Sequence, residues 1–307
     1  MAKLLLIDSN SIVHRAFHAL PPLTKKNGEM VNAVYGFLLV LIKSIKDFKP
    51  DYIIATFDLP KPTFRHKKFK DYKGTRKTAP NELYEQIPKI KDFLCLFQIP
   101  IIEKSGFEAD DVIGTVSRII PKKDSKIETI ILSGDLDTLQ LVNKNTKVFA
   151  MKKGVKEAIL YDEKLVQERF SGLKPKQLID YKGLRGDPSD NIPGVLGIGE
   201  KTAINLISQF KNIDNLYKHI DKIENTSDRI KELLKKNKKI AFLSRELAEI
   251  HLKVPIKINI KNCKWGAYDK NKIISKLDEY EFTALKKRFL EMIGEENSSI
   301  GENLKLW

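Results

Sequence analysis

Cysteine is nearly absent. Cys95 and Cys263 are the only two in 307 residues, too few for a disulfide framework and without the spacing of a zinc site. No apolar run approaches membrane-spanning length, and the opening Met-Ala-Lys-Leu-Leu-Leu-Ile is shorter than a signal-peptide core and meets Asp8 at once. A soluble, cytoplasmic protein with no membrane partner is therefore expected. No internal repeat is present. A P-loop is missing too: Glu200 separates Gly199 from Lys201, which excludes an NTPase of that type, and Thr202 stands where a dinucleotide fingerprint needs its third glycine. Negative charge is in deficit, with 40 acidic residues against 55 basic ones, a formal charge of +15 and a pI near 9.5. That balance favours a polyanion, nucleic acid ahead of an anionic membrane surface or mere solubility.

Against this basic background nine carboxylates stand out: Asp8, Asp58, Glu108, Asp110, Asp111, Asp135, Asp137, Asp187 and Asp190. Most follow an apolar strand-like run or begin a helix. Hard divalent cations such as Mg²⁺ take oxygen ligands, so a gathering of carboxylates suits them. A metal-loaded site could then cut the polyanion that the basic remainder attracts.

With 42% hydrophobic residues the chain can bury one large core or two smaller ones. Apolar runs at Lys3–Ile7, Tyr52–Phe57 and Ile127–Leu132 alternate with helical periodicity at Val31–Phe48, Asn81–Phe97 and Ala109–Ile120. The pattern predicts an α/β fold with a mostly parallel central sheet flanked by helices. Ligands of such sheets bind beyond the carboxyl ends of the strands, where Asp8, Asp58 and Asp135 fall. Each taken alone reads more readily as a cap or turn residue, which three strands ending alike make less comfortable. Past Phe170 the strand signal fades. We expect a nuclease-type α/β domain over residues 1–168, a helical region over 169–292 with a Lys-rich amphipathic helix at 229–250, and a loose tail over 293–307.

Five segments carry candidate chemistry. Gly106-Phe107-Glu108-Ala109-Asp110-Asp111 sets three carboxylates in four positions; the helix dipole favours them there, but their mutual repulsion asks for a cation. Glu108 and Asp111, three apart, are expected on one face and Asp110 elsewhere, so the group could serve two metals. Ser133-Gly134-Asp135-Leu136-Asp137 and Asp187-Pro188-Ser189-Asp190 set paired carboxylates in turns, which Asx-turns also explain. Pro193-Gly194-Val195-Leu196-Gly197-Ile198-Gly199-Glu200-Lys201-Thr202 fits a helix–hairpin–helix, whose glycines admit a phosphate to the backbone and whose second helix offers free N–H groups. Phe64 to Lys77 interleaves cations with aromatics, as single-strand binding requires, although a solvated basic loop reads the same way.

Together these motifs resemble the 5′-nuclease family, comprising the 5′→3′ exonuclease domain of bacterial DNA polymerase I and stand-alone bacterial flap endonucleases. The resemblance runs from about Leu4 to Phe282 and includes Phe17-His18-Ala19-Leu20, Ala33-Val34-Tyr35-Gly36, Phe57-Asp58, Phe64-Arg65, Tyr72-Lys73, Glu108-Ala109-Asp110-Asp111, Gly186-Asp187-Pro188-Ser189-Asp190-Asn191 and Gly197-Ile198-Gly199-Glu200-Lys201-Thr202. It implies a PIN-like core with a helical arch over about 62–98 and a helix–three-turn–helix element. It assigns Asp8, Asp58, Glu108 and Asp110 to a first metal, and Asp111, Asp135, Asp137, Asp187 and Asp190 to a second. Lys73 and Arg76 correspond to catalytic arch residues. His14, Arg15, Arg65, Tyr72, Gly194, Gly197, Gly199, Lys201 and Thr202 correspond to DNA-binding positions. His14 departs from the family's Tyr, and Leu136 from a Lys often found between the two aspartates.

The resemblance further implies two Mg²⁺ (or Mn²⁺) ions, a K⁺ ion at the hairpin, and as partners DNA with 5′ flaps or ends and RNA/DNA primer junctions. The expected protein is a monomeric, cytoplasmic, nucleoid-associated 5′→3′ exonuclease and flap endonuclease of replication and repair, with no polymerase region. A DNA-binding module with a relict site and a PIN-type ribonuclease are its rivals; the filled carboxylate positions weigh against the first, the hairpin against the second.

Overall fold

Leu4, Leu5, Leu6 and Ile7 follow one another without a polar break, so this run must be covered on both faces. It forms β1 (Ala2–Asp8), which joins β2 (Tyr52–Thr56), β3 (Ile101–Ile102), β4 (Ile127–Ser133), β5 (Thr146–Met151) and β6 (Ala158–Tyr161) in one sheet. This computed structural model describes residues 1–76, 78–124, 126–152, 158–223 and 227–295. The strand order is β3-β2-β1-β4-β5-β6, with every described pairing parallel except β5 with β6. Succession runs outward in opposite directions from β1 and from β4, so a crevice opens between their carboxyl ends. Register sets Asp8 beside Thr56 and Ile7 beside Leu132, levelling three strand ends at that crevice.

The period-two alternation of β1 divides the core. Leu5 and Ile7 face α1 (Ser9–Ala19), α2 (Asn32–Phe48), α4 (Asn81–Tyr84) and α5 (Gln86–Leu96), through Ile12, Phe37, Leu41, Leu83 and Phe93, whereas α3 (Phe64–Lys68) packs elsewhere, with Phe64 against Phe107 and His251. Leu4 and Leu6 face α6 (Ala109–Lys123) through Val112, Ile113 and Val116. The helix expected over 81–97 is interrupted at Glu85; Pro88 has no N–H to return to Tyr84, which weakens the ladder there.

The helical region follows as α7 (Glu163–Arg169), α8 (Leu178–Arg185), α9 (Glu200–Phe210), α10 (Ile213–Lys218), α11 (Asp228–Lys236) and α12 (Lys238–Ala248), sharing one core with α6. The helix expected over 229–250 is thus two, parted at Asn237, whose ψ of 19° leaves the helical range. α13 (Lys270–Glu279) and α14 (Thr283–Met292) leave that region and return to the first layer, where Ile273, Leu277, Leu285 and Phe289 pack with Phe37 and Phe93. Of the tail expected to be loose, residues 296–307 lie outside the described residues.

Candidate metal centre and nucleic-acid interface

The strand ends deliver their carboxylates to the crevice. Asp8 ends β1 and is 4% exposed; it accepts the Ser133 hydroxyl at 2.6 Å and the Ser11 amide at 3.3 Å. Asp58 follows β2 and accepts the Ala109 amide at 2.7 Å, which ties that strand end to the start of α6. Asp135 follows β4 and caps the next turn by accepting the Asp137 amide at 2.9 Å.

The start of α6 sets Glu108 and Asp111 on one partner, Arg65, at 3.5 and 2.8 Å, and turns Asp110 elsewhere. Glu108 is the N-cap, with extended φ −91° and ψ 161°. Its carboxylate accepts Lys73 Nζ at 3.0 Å and the Tyr72 hydroxyl at 3.2 Å. Asp110 faces Asp8, Asp58 and Asp135, whose charges it feels, and has no hydrogen-bond or ion-pair partner among the described residues. Asp111 is not among the candidate ligands in space. It is fully buried and binds Arg65 through two 2.8 Å hydrogen bonds. Arg65 is 2% exposed, and Tyr72 is 3% exposed with its hydroxyl between Glu108 and Asp190.

Asp187 and Asp190 come from the loop between α8 and α9. Asp187 accepts Lys182 Nζ at 2.6 Å and the Ser189 hydroxyl at 2.7 Å; burial would raise it, but these partners hold it down to about 2. Lys182 also binds Asp137, bridging the two loops. Sequence reasoning missed this residue, whose one signal was a lysine on the helix that leads into Gly186-Asp187. Gly186 and Gly194 let the loop close on itself: a Cβ on Gly194, where φ is +61°, would lie 2.3 Å from the Gly186 nitrogen. Gly194 N–H donates to Ser244 and Val195 N–H to Leu184 O, pinning the hairpin to α12 and α8. Gly197 turns at φ +89°, and Gly199 leads into the first turn of α9, where Lys201 is exposed and Thr202 half-buried. Leu196 stands at the hairpin tip, 85% exposed.

The basic segment after Asp58 is folded down on the carboxylates. Lys73 turns at φ +56°, donates its N–H to Asp190 O at 2.9 Å and its ammonium to Glu108. Arg76 binds the Asp190 carboxylate and donates to Ser189 O at 3.2 Å. Of the region expected as an arch, Phe64 to Arg76 therefore lies over the site, while Leu83, Ile90 and Phe93 are core. Lys77 lies outside the described residues. Arg15 donates to Gly134 O at 2.7 Å beside a cavity of roughly 440 Å³ that His14, Ser11 and His18 also line. Burial lowers the His14 pKa, so the ring is favoured in its neutral, stackable form.

Burial and then mutual charge push Asp110 well above the ordinary carboxylate range; burial also raises Asp8 and Asp135, against the hydrogen bonds they accept. Burial and Asp135 push Asp137 up to about 7 despite Lys182. Among the described residues no three acidic side chains converge closely enough to chelate an ion as they stand; Lys73, Arg76 and Lys182 occupy the spaces between them. The donors are oxygens, several are buried with unrelieved like charge, and Asp110 has an open carboxylate. That chemistry fits a hard divalent cation entering where the ammonium groups now lie.

Comparison with known proteins agrees with this arrangement. Residues 3–171 match the family described as 5′-3′ exonuclease, N-terminal resolvase-like domain, and residues 173–271 match its C-terminal SAM fold. The chain is 40% identical to DNA polymerase I of Bacillus subtilis over 99% of its own length and 34% of that protein, so it spans about a third of that relative. It is 37% identical to the 5′-3′ exonuclease of Aquifex aeolicus, over 94% of this chain and 95% of that one. Its fold is that of a flap endonuclease of bacteriophage T5, solved with DNA and metal ions, at a TM-score of 0.64 and 21% identity over 95% of this chain and 99% of that one. The chain belongs to the 5′-3′ exonuclease family.

Proposed function

We propose that this chain is a divalent-metal-dependent 5′→3′ exonuclease and 5′-flap endonuclease acting on DNA, and on the RNA segments of primer junctions. The observation that carries the reading is the convergence of Asp8, Asp110 and Asp135 at the β1–β4 crevice, together with a hairpin whose own loop supplies Asp187 and Asp190. Asp8, Asp58, Glu108 and Asp110 would hold one ion, and Asp135, Asp137, Asp187 and Asp190 a second, both Mg²⁺ or Mn²⁺. Bound ions of this kind supply charge that activates water and stabilises the departing oxygen.

The protein's own groups do the rest. The first turn of α9, with Lys201 and free backbone N–H groups, suits a duplex phosphate, and the hairpin carbonyls suit a K⁺ ion. Lys73 and Arg76 exchange their carboxylate partners for the phosphate being cut, adding positive charge where the transition state gains negative charge. His14 stacks on a base beside the cut, and Arg15 borders the same cavity. Water attacks the phosphorus, the bond to the 3′ oxygen breaks, and the products are a 5′-phosphate and a 3′-hydroxyl. We place the enzyme in the bacterial cytoplasm as a monomer serving replication and repair. The test is a labelled 5′-flap duplex with Mg²⁺, with and without chelator. Cleavage to 5′-phosphate products that the chelator abolishes is expected; binding without cleavage would leave a DNA-binding module.

A further inference from the structure

The Arg65–Asp111 pair is closed on every side. Asp111 Oδ1 accepts Arg65 Nη2 and the His251 amide, both at 2.8 Å, while Oδ2 accepts Arg65 Nη1 at 2.8 Å and the Glu108 amide at 3.0 Å. A carboxylate has about four lone-pair sites, and all are used, which leaves none for a metal. Arg65 Nε donates to Leu247 O at 2.9 Å and Nη2 also to Glu249 O at 2.7 Å, while Nη1 faces Glu108 Oε2 at 3.5 Å. Four of its five donors make hydrogen bonds inside the protein and the fifth is turned towards Glu108, which leaves none free for a phosphate. Buried ion pairs add little net stability over apolar packing, so stability alone does not account for this one. What the pair does is geometrical. It joins α3, the start of α6, and the segment leaving α12, and it fixes the backbone of the N-cap residue Glu108.

Resting on the metal-nuclease reading above, we infer that Arg65 and Asp111 are a positioning pair that aims Glu108 into the site, neither ligating metal nor touching DNA. Glu108 has extended backbone, and only its carbonyl joins the helical ladder, accepting the Asp111 and Val112 amides at 3.0 and 3.3 Å, so its own N–H and its side chain are held from outside the helix. Its amide bond to Asp111 is what stops the residue rotating away from Lys73 and the crevice.

The test pairs Asp111→Asn with Arg65→Gln. In metal-free protein, amide exchange at Glu108 and His251 should accelerate in both variants, an outcome independent of whether the wild type cleaves anything. By calorimetry Asp111→Asn should bind as many Mn²⁺ ions as the wild type. Arg65→Gln should keep the salt dependence of flap binding, where loss of a phosphate contact would lower the slope by about 0.9. At saturating metal and DNA both should lose kcat by about tenfold or more with KM little changed. The double variant should be no worse than the poorer single one, because the two residues act as one unit. A metal equivalent lost in Asp111→Asn, a lower salt slope in Arg65→Gln, or additive losses would overturn the proposal. Should a single variant unfold, the charge-free pair Arg65→Met with Asp111→Leu is measured instead, and unchanged Glu108 exchange there refutes the role. Absence of chelator-sensitive cleavage by the wild type would refute the nuclease reading, while the exchange result stands by itself.

Discussion

Lys182→Met tests whether the cations inside the site substitute for metal. The Lys182 ammonium lies between Asp137 and Asp187, and the three side chains are only 15%, 20% and 11% exposed. Removing the cation leaves two carboxylates facing each other across a partly dry gap. Breaking a buried pair in this way costs about 3–5 kcal/mol, and some access to solvent argues for the lower end, about 3 kcal/mol. At about 2 °C of melting temperature per kcal/mol for a chain of this size, the metal-free variant should melt about 6 °C below the wild type at neutral pH. Saturating Mg²⁺ should shrink the gap to about 2 °C or less, because the ion takes the position of the ammonium. Asp187, held near 2 by Lys182, stabilises the fold above its ordinary value of 3.8, so the gap should also narrow as pH falls from about 4 towards 2. The assay is a thermal melt with chelator and with Mg²⁺, with Lys147→Met as control. That residue forms a more exposed pair with Glu128, and its loss should shift melting by about 1 °C or less. An equal drop with and without metal would refute the substitution, since Lys182 would then matter only for packing.

Asp137, raised to about 7, contributes stability that is complete below 3.8 and is lost as pH rises through 7. Melts of chelated protein should therefore fall between about pH 4 and 8, and Asp137→Asn should flatten the decline. Gly194→Ala forces a Cβ to within 2.3 Å of Gly186 N at φ +61°. It should lower stability by about 1–3 kcal/mol and weaken duplex binding in gel-shift titration, while a variant that binds normally would show that the hairpin does not grip DNA. Lys73→Ala and Asp135→Asn should each keep flap binding in chelator yet lose about 10²-fold in single-turnover cleavage, and normal rates in both would sink the site assignment.

The three strands that carry the site were legible because buried parallel strands are written as unbroken apolar runs, which almost nothing else in a short segment requires. Ile101–Ile102 is too short to register, and Thr146–Met151 and Ala158–Tyr161 lie towards one edge of the sheet, where mixed residues blur the signal. The carboxylates were legible as a group for a related reason: strand ends of one sheet must meet. Their division was not. Glu108 and Asp111 do meet one partner, Arg65, as a spacing of three suggests, but that this partner is a buried arginine is visible only in the tertiary structure. The counter-ions were less legible still. Lys182 is one of 55 basic residues, and only tertiary structure shows that it closes the gap between Asp137 and Asp187. Lys73, Arg76 and Lys182 together give the metal-free protein a way to remain folded around its carboxylates. On the proposed nuclease reading the same arrangement makes their release a condition of activity, since a cation that balances Asp137, Glu108 or Asp190 cannot at the same time meet a phosphate. Net charge, which the sequence displays openly, therefore describes the attraction of substrate, whereas the pairing of charges decides whether the site is open to it.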